Sequence, residues 1–174
     1  MIGDRWGVSD EEVARHYPCD DLVPAPAWQA WRGVTVHAAC RDVWPWIAQI
    51  RLAPYSYDWI DNLGRRSPQQ LRDSAEPAPG QRFTTAGGRP AGRILSVEPG
   101  VQLTATIMGA VMSYVLVPIG GATSGPTRLL LKVAGAHDRR IAPLLSVGDL
   151  VMARRQLLNL ERLAERSGRP ARRL

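Results

Sequence analysis

The sequence predicts an α+β domain, a curved antiparallel sheet with its helices on one side. Three observations lead to this fold class. Strand-like segments bounded by glycine and proline dominate residues 82–133, a helix-rich stretch follows the first strand, and one long helix comes last. Short turns between consecutive strands indicate an antiparallel meander, and the apolar stripe of the last helix requires burial across the concave face of the sheet.

The composition is that of an ordinary globular protein. The chain has 174 residues, of which 45% are hydrophobic and 22% charged, so a sizeable core is expected and a wholly disordered chain is excluded. The longest nearly uninterrupted apolar run, 107–119, is shorter than the ~20 residues of a membrane span. The first residues lack the apolar run of a secretory signal. We therefore expect a cytoplasmic protein with no membrane span and with reduced thiols at Cys19 and Cys40.

Residues 1–30 read as an N-terminal arm. Ser9 followed by Glu12 forms a capping box and predicts a short helix over 10–16. Beyond it the chain is expected to be extended, because proline is unsuited to a helix interior. The residues concerned are Pro18, Pro24 and Pro26.

The first strand is predicted at 33–37, where Val34 and Val36 share one face. A helix is predicted over 39–50, because apolar residues recur there at spacings of three and four. Asp42 as its N-cap would place Pro45 harmlessly in the first turn. The apolar residues of this stripe are Val43, Trp46, Ile47 and Ile50.

A second short helix is predicted over 56–63, with Trp59, Ile60 and Leu63 clustered on one side and the Trp59 ring expected to be buried. After a loop over 65–80, five strands follow. Their predicted ranges are 82–85, 92–97, 101–108, 111–118 and 128–133. The last helix begins between 138 and 147, carries a broad leucine and valine stripe, and ends near Arg166.

Three stretches of the sequence resemble the START-like superfamily, also called SRPBCC or Bet v 1-like, and in particular its polyketide cyclase/dehydrase-like members. The resemblance spans roughly residues 20–166, and the middle stretch is the most specific. The stretches are 31–50, the run Tyr55-Ser56-Tyr57-Asp58-Trp59-Ile60-Asp61-Asn62-Leu63, and 148–158.

The resemblance implies a helix-grip fold, in which the sheet wraps around the long C-terminal helix and two short helices follow the first strand. The helix-grip domain would occupy 31–168, with a basic tail at 169–174. Members of the superfamily carry lipids, hormones or aromatic products in a cavity, cyclise or dehydrate polyketides, or bind partners. The shortened, glycine-free connection at 51–54 departs from similar members and puts ligand entry in question.

Several side chains are candidates for chemistry. Tyr57, Asp58 and His137 are the candidate acids or bases of an enzyme. Each also has a structural interpretation, such as capping or a surface position. The candidate ligand-binding residues are aromatic, soft or inward-aimed side chains: Trp46, Tyr55, Trp59, Arg93, Thr104, Thr106, Met108, Met112 and Tyr114. Arg82, Arg93 and Arg128 could each point inward and hold a carboxylate or stabilise an enolate, but outward orientation is the commoner case for all three.

One strand suggests which face lines the cavity. Thr104, Thr106 and Met108 form a face too polar for a packed core and too apolar for plain solvent, so we expect them beside the ligand. Leu103 and Ala105 would then pack on the opposite face. A one-residue shift in register would exchange the two sets.

The predicted partner is a hydrophobic small molecule, with no cofactor, metal or nucleic acid. Two cysteines and three histidines without ligand spacing disfavour zinc, and no glycine-rich phosphate loop follows a strand. The net charge is +6, with seven arginines after Ala153, but no aromatic residues interleave with them for stacking on bases. A ligand-binding protein that cyclises or dehydrates its ligand, a carrier or sensor, and an interaction module remain alternatives. Monomer and homodimer are equally open.

Overall fold

The protein is built on an open, curved, mixed sheet of seven strands. A computed structural model describes residues 4–61, 63–73, 75–86, 88–121, 124–135 and 142–168. The strands are β1 Arg5–Trp6, β2 Trp28–Val36, β3 Arg82–Ala86, β4 Arg89–Glu98, β5 Gln102–Ile107, β6 Ala110–Pro118 and β7 Thr127–Gly135. The α-helices are α1 Asp10–Ala14, α2 Pro18–Leu22, α3 Cys40–Ala48, α4 Asp58–Asp61 and α5 Ala142–Ser167.

The strands follow the order β1-β2-β7-β6-β5-β4-β3. The predicted antiparallel meander is confirmed, since β3 to β7 pair in sequence order and β2 returns beside β7. The sequence did not predict β1, which pairs in parallel with β2. Two residues are too few to show an alternating pattern.

The two main helices lie where their apolar stripes predict. In α3 the predicted residues Val43, Trp46 and Ile47 are all buried. This helix begins at Cys40 with Ala39 as its N-cap, so Asp42 lies within the first turn and Pro45 inside the helix. The predicted bounds of α5 are confirmed by a helix of 26 residues. None of the described helices is both long and apolar enough to cross a bilayer.

We call the sheet face that packs against α3 and α5 the inner face. Alternate residues of each strand point to it, as the two-residue period of a strand requires. Leu103 and Ala105 of β5 lie there, together with Leu129, Leu131 and Val133 of β7. From α5 the inner face receives Leu157, Leu160 and Leu163, and this is the main core.

The opposite, outer face is covered by the N-terminal residues. Tyr17 and Cys19 are fully buried against Val115 and Leu130. The Cys19 backbone N–H donates to Ser113 Oγ at 3.0 Å. The expectation that Pro18 keeps the chain extended is wrong, because Pro18 occupies the first turn of α2, where its missing N–H costs nothing.

A buried charge fixes α2 to the sheet. The Lys132 side chain is only 6% exposed and donates to Asp20 Oδ1. Its ammonium group also lies 5.4 Å from the Tyr17 ring centroid and 5.1 Å from that of Trp31. Burial raises the pKa of the Tyr17 phenol to about 12, and its hydroxyl donates to the Glu12 carbonyl at 2.7 Å.

A second ion pair fixes α1. Arg128 donates from Nε to Glu12 Oε1 at 2.6 Å and from a terminal nitrogen to Oε2 at 2.9 Å. Arg128 therefore points to the outer face and not toward a ligand. Burial opposes ionisation of Glu12, but hydrogen bonds from Arg128 and the Ser9 N–H prevail and hold its pKa below the ordinary value.

The Glu12 contact predicts acid sensitivity. Because the folded-state pKa is lowered, the stabilisation is fully present above the unfolded pKa of about 4.3 and is lost as the pH falls through the folded value. Denaturant melts across this range should show stability falling more steeply for the wild type than for Glu12→Gln. Parallel pH profiles for the two proteins would contradict this assignment.

Candidate functional site

Four of the predicted ligand-binding residues lie together between the inner face and α5. Trp46, Tyr55, Met112 and Tyr114 belong to one buried cluster, and each is less than 8% exposed. The Trp46 and Tyr55 rings meet edge to face, with centroids 6.3 Å apart and planes at 87°. Tyr114 lies beside Phe83, with ring centroids 6.2 Å apart. These aromatic rings and one methionine lie among the aliphatic side chains of the main core.

Amide side chains pair with both phenols of this cluster. Gln49 Nε2 donates to the Tyr55 hydroxyl at 2.5 Å, and the Tyr114 hydroxyl donates to Gln156 Oε1 at 2.5 Å. Gln156 Nε2 in turn donates to the Pro54 carbonyl at 2.6 Å. Burial raises the pKa of Tyr55 above its ordinary value, so its phenol is a neutral hydrogen-bonding group.

An arginine that sequence reasoning missed also lies on the inner face. Arg32 is fully buried, and one terminal nitrogen donates to the Asp4 carbonyl at 2.7 Å and to the Trp31 carbonyl at 2.8 Å. It pairs with Leu131, which pairs with Tyr114, so Arg32 and Tyr114 lie in one cross-strand row. Extending the alternation of Val36 and Val34 by one step would have placed Arg32 on this face.

Residues 54–56 cross the side of α5 and are fastened to it. Asn159 Nδ2 donates to the Tyr55 carbonyl at 2.8 Å, and Ser56 Oγ donates to the Met152 carbonyl at 3.1 Å. Tyr55 has a φ of 56°, a left-handed conformation that is unusual for a bulky residue. These contacts stabilise that conformation, which turns the Tyr55 ring into the core while the chain continues outward.

Beyond this crossing lies a surface cleft of about 600 Å³, which we call the arginine cleft. It is bounded by 55–59, by 66–69 and by one side of α5. Asp58 lies at its edge and accepts two hydrogen bonds from Ser67, from Oγ at 2.5 Å and from the backbone N–H at 2.9 Å. The cleft is lined chiefly by Tyr57, Asp58, Trp59, Arg66, Ser67, Gln69, Arg155, Asn159, Arg162 and Arg166.

Tyr57 and Asp58, two of the predicted acids or bases, therefore line the arginine cleft and not the buried cluster. The third candidate, His137, lies outside the described residues, as does the basic tail at 169–174. Among the residues that are described, no three His, Cys, Asp or Glu side chains gather as a metal site requires.

The predicted burial of Trp59 is wrong. Its side chain is 74% exposed, and Leu63 is 69% exposed. The predicted helix over 56–63 is reduced to the single turn of α4, because Ser56 hydrogen-bonds to α5 and leaves the helix to begin at Asp58. Tyr55, not Trp59, supplies the aromatic ring that fills the core from this segment.

The predicted facing of β5 is inverted. Thr104 is fully buried on the outer face, where its hydroxyl is 2.7 Å from Ser113 Oγ beneath α2. Thr106 accepts from the Arg93 backbone N–H at 2.9 Å on the same face. Met108 lies in the β5–β6 turn and is 87% exposed. Leu103 and Ala105 face α5 instead, since the outer face has a cover of its own.

Arg93 is not directed inward either. The neighbouring Ile94 belongs to the inner-face core, so Arg93 points away from it, is exposed, and donates to the Gly80 carbonyl at 3.1 Å. Arg82 pairs with Arg93 across β3 and β4 and is exposed as well. The inward-directed arginine of the sheet is Arg32.

Known proteins resemble the chain in structure. Protein NE0264 from Nitrosomonas europaea matches with a TM-score of 0.55 and 15% identity, over 80% of this chain and 96% of that one. A protein from Thermobifida fusca matches with a TM-score of 0.54 and 16% identity, over 78% and 94% of the two chains. Protein MLL2253 from Mesorhizobium loti matches at 0.52 and 19%, over 80% and 98%.

The chain has an α+β helix-grip fold. No family model matches it, and no curated protein matches it in sequence. At identities below 20% these structural matches show a shared fold and nothing about what the chain binds. What the chain binds has to be argued from its own residues.

Proposed function

We propose that the protein binds a mostly apolar, aromatic or polyketide-like small molecule between the inner face of the sheet and α5. One observation carries the proposal. Trp46, Tyr55, Met112 and Tyr114, which come from three separate parts of the chain, converge in one buried cluster beside the long helix. Apolar and aromatic surfaces with a few placed polar groups are typical of small-molecule sites.

The chemistry of the cluster suits such a ligand. The phenols of Tyr55 and Tyr114 pair with neutral amide groups, and a phenol can donate a hydrogen bond to a ligand carbonyl or accept one from a ligand hydroxyl. Met112 offers a soft side chain whose rotamers adapt to the shape of a ring system. A mostly hydrocarbon ligand with one or two oxygens would satisfy both features.

The two described candidates for acid or base work lie outside the buried cluster, which favours binding without chemistry over cyclisation. Asp58 is held by Ser67 at the arginine cleft, and Tyr57 lies beside it, both away from the buried cluster. Cyclisation or dehydration stays the second candidate because Arg32 and Tyr114 share a row on the inner face. There a guanidinium would stabilise an enolate and a phenol would donate a proton. Product formation lost in Tyr114→Phe with binding retained would favour it.

The test of binding uses Nile red, an uncharged apolar dye, with substitutions on the two sheet faces. Met112 lies in the buried cluster. Met112→Trp adds volume there and should abolish most of the fluorescence increase, because the added ring would fill the space proposed for the ligand. Thr106→Trp adds a ring on the outer face and should bind the dye as the wild type does. Melting temperatures establish that both variants fold. Equal dye binding by all three folded proteins would overturn the proposal.

A further inference from the structure

The arginine cleft has an excess of positive charge that the proposed apolar site does not use. Four guanidinium groups line it, from Arg66, Arg155, Arg162 and Arg166. The last three follow one another at spacings of seven and four along α5 and so share one side of that helix. Both carboxylate oxygens of Asp58, which also lines the cleft, already accept hydrogen bonds from Ser67.

Two acidic residues of the same helix, Glu161 and Glu165, point elsewhere. Glu165 accepts from the His37 backbone N–H at 2.9 Å, on the side of α5 that packs against β2. Glu161 lies near Glu165 and not in the cleft. Within the described ranges, Arg66, Arg155, Arg162 and Arg166 form no ion pair with a carboxylate. The four positive charges therefore face the cleft without neutralisation from Glu161 or Glu165.

Aromatic groups complete the lining. The Arg155 guanidinium lies 5.8 Å from the centroid of the Tyr57 ring, which holds it at one wall. Trp59, also in the lining, leaves 74% of its surface exposed. An exposed indole beside guanidinium groups offers a flat surface on which a second planar ring can stack.

We infer that the arginine cleft binds a small planar aromatic molecule that carries a carboxylate or a phosphate group. The ring would stack on Trp59 and the anionic group would bind the arginines of α5 by bidentate hydrogen bonds. A volume of about 600 Å³ bounded on three sides matches one small molecule and favours it over a nucleic-acid strand. Tyr55 borders both this site and the proposed apolar site, but the groups proposed to hold the anionic ligand, Trp59 and the arginines, lie in the cleft and not in the buried cluster.

The experiment compares charged and uncharged probes by titration calorimetry. 1-Naphthoate and adenosine monophosphate carry the two anionic groups, and 1-naphthalenemethanol and adenosine are their uncharged counterparts. The wild type should bind at least one charged probe, about tenfold or more tighter than its uncharged counterpart. The preferred probe distinguishes a carboxylate ligand from a phosphate ligand.

Three variants locate the site. The double substitution Arg155→Gln with Arg162→Gln should weaken the charged probe about tenfold or more, and Trp59→Ser should weaken it several-fold. Arg154→Gln is the matched control, since Arg154 is on the same helix but lies over the Trp6 ring, 5.0 Å from its centroid. This control should bind as the wild type does. If the double substitution destabilises α5, Arg66→Gln tests the cleft from its loop side.

Several outcomes would overturn the inference. If no probe binds, or if charged and uncharged probes bind equally, the cleft is not an anion-binding site. Equal losses in Arg154→Gln and in the double variant would show a diffuse charge effect. Affinity for oligothymidylate that grows with strand length and exceeds that for both small probes would show a nucleic-acid surface instead. The Nile red test of Met112→Trp and the calorimetric titrations of the cleft use different probes and variants. Either proposal can therefore be contradicted without affecting the other.

Discussion

Replacing Trp46 by alanine is expected to lower the free energy of unfolding by about 3–5 kcal/mol, the usual cost of deleting a buried indole. Trp46 is 1% exposed, packs edge to face on Tyr55, and donates from Nε1 to Ser167 Oγ at 3.1 Å. The substitution removes the contact of α3 with the last turn of α5 and leaves a cavity in the main core. Urea melts followed by circular dichroism measure the loss.

Trp59→Ala is the matched control for this prediction. It deletes the same side chain from a position that is 74% exposed, so the unfolding free energy should change by less than about 0.5 kcal/mol. Similar losses for the two substitutions would mean that the Trp59 indole is packed against the core and not exposed.

The second large effect concerns the buried charge on the outer face. Asp20→Asn should lower the unfolding free energy by about 3 kcal/mol, because it leaves the Lys132 ammonium group buried without its counter-charge. Lys132→Met should cost less, since Asp20 is 25% exposed and can be hydrated where it lies. The double variant should be more stable than the sum of the single losses implies. Strict additivity would contradict a direct pair.

The outer face shows why part of the fold escaped prediction. Alternation in β5 showed correctly that Leu103 and Ala105 oppose Thr104, but local pattern cannot say which set meets the long helix. The decisive contact joins Cys19 to Ser113, residues 94 apart in the chain. Once the N-terminal segment covers the outer face, a threonine is buried there by hydrogen bonding to a serine. Contacts between residues so far apart in the chain cannot be predicted from the periodicity of hydrophobic residues along a single segment.

The main helices and the meander, in contrast, were predictable because their signals are local. The stripe of Val43, Trp46 and Ile47 fixed both the existence and the buried side of α3. The same reasoning reached α5 and its end at Ser167. The position of Arg32 was also predictable, because Arg32 precedes Val34 by two residues and so shares its face of β2. It was missed because charged residues are rarely expected on a core face.

The arginine cleft was half visible in the sequence. The sequence shows the arginines of α5. It also argues against nucleic-acid binding, because no aromatic residue interleaves with these arginines along the helix. The structure brings Tyr57 and Trp59 to that side from a segment about a hundred residues earlier. The composition of α5 alone therefore could not reveal the site, because its aromatic residues, Tyr57 and Trp59, come from a different segment.

Methionine methyl resonances test the central claim, an apolar site on the inner face, most directly. Met112 lies in the buried cluster, and Met108 is exposed in the β5–β6 turn only a few residues away. With methyl-labelled methionine, titration with Nile red should shift the Met112 resonance and leave that of Met108 unchanged. A shift at Met108 with Met112 unmoved, or no shift at either under saturating dye, would contradict a binding site between the sheet and α5.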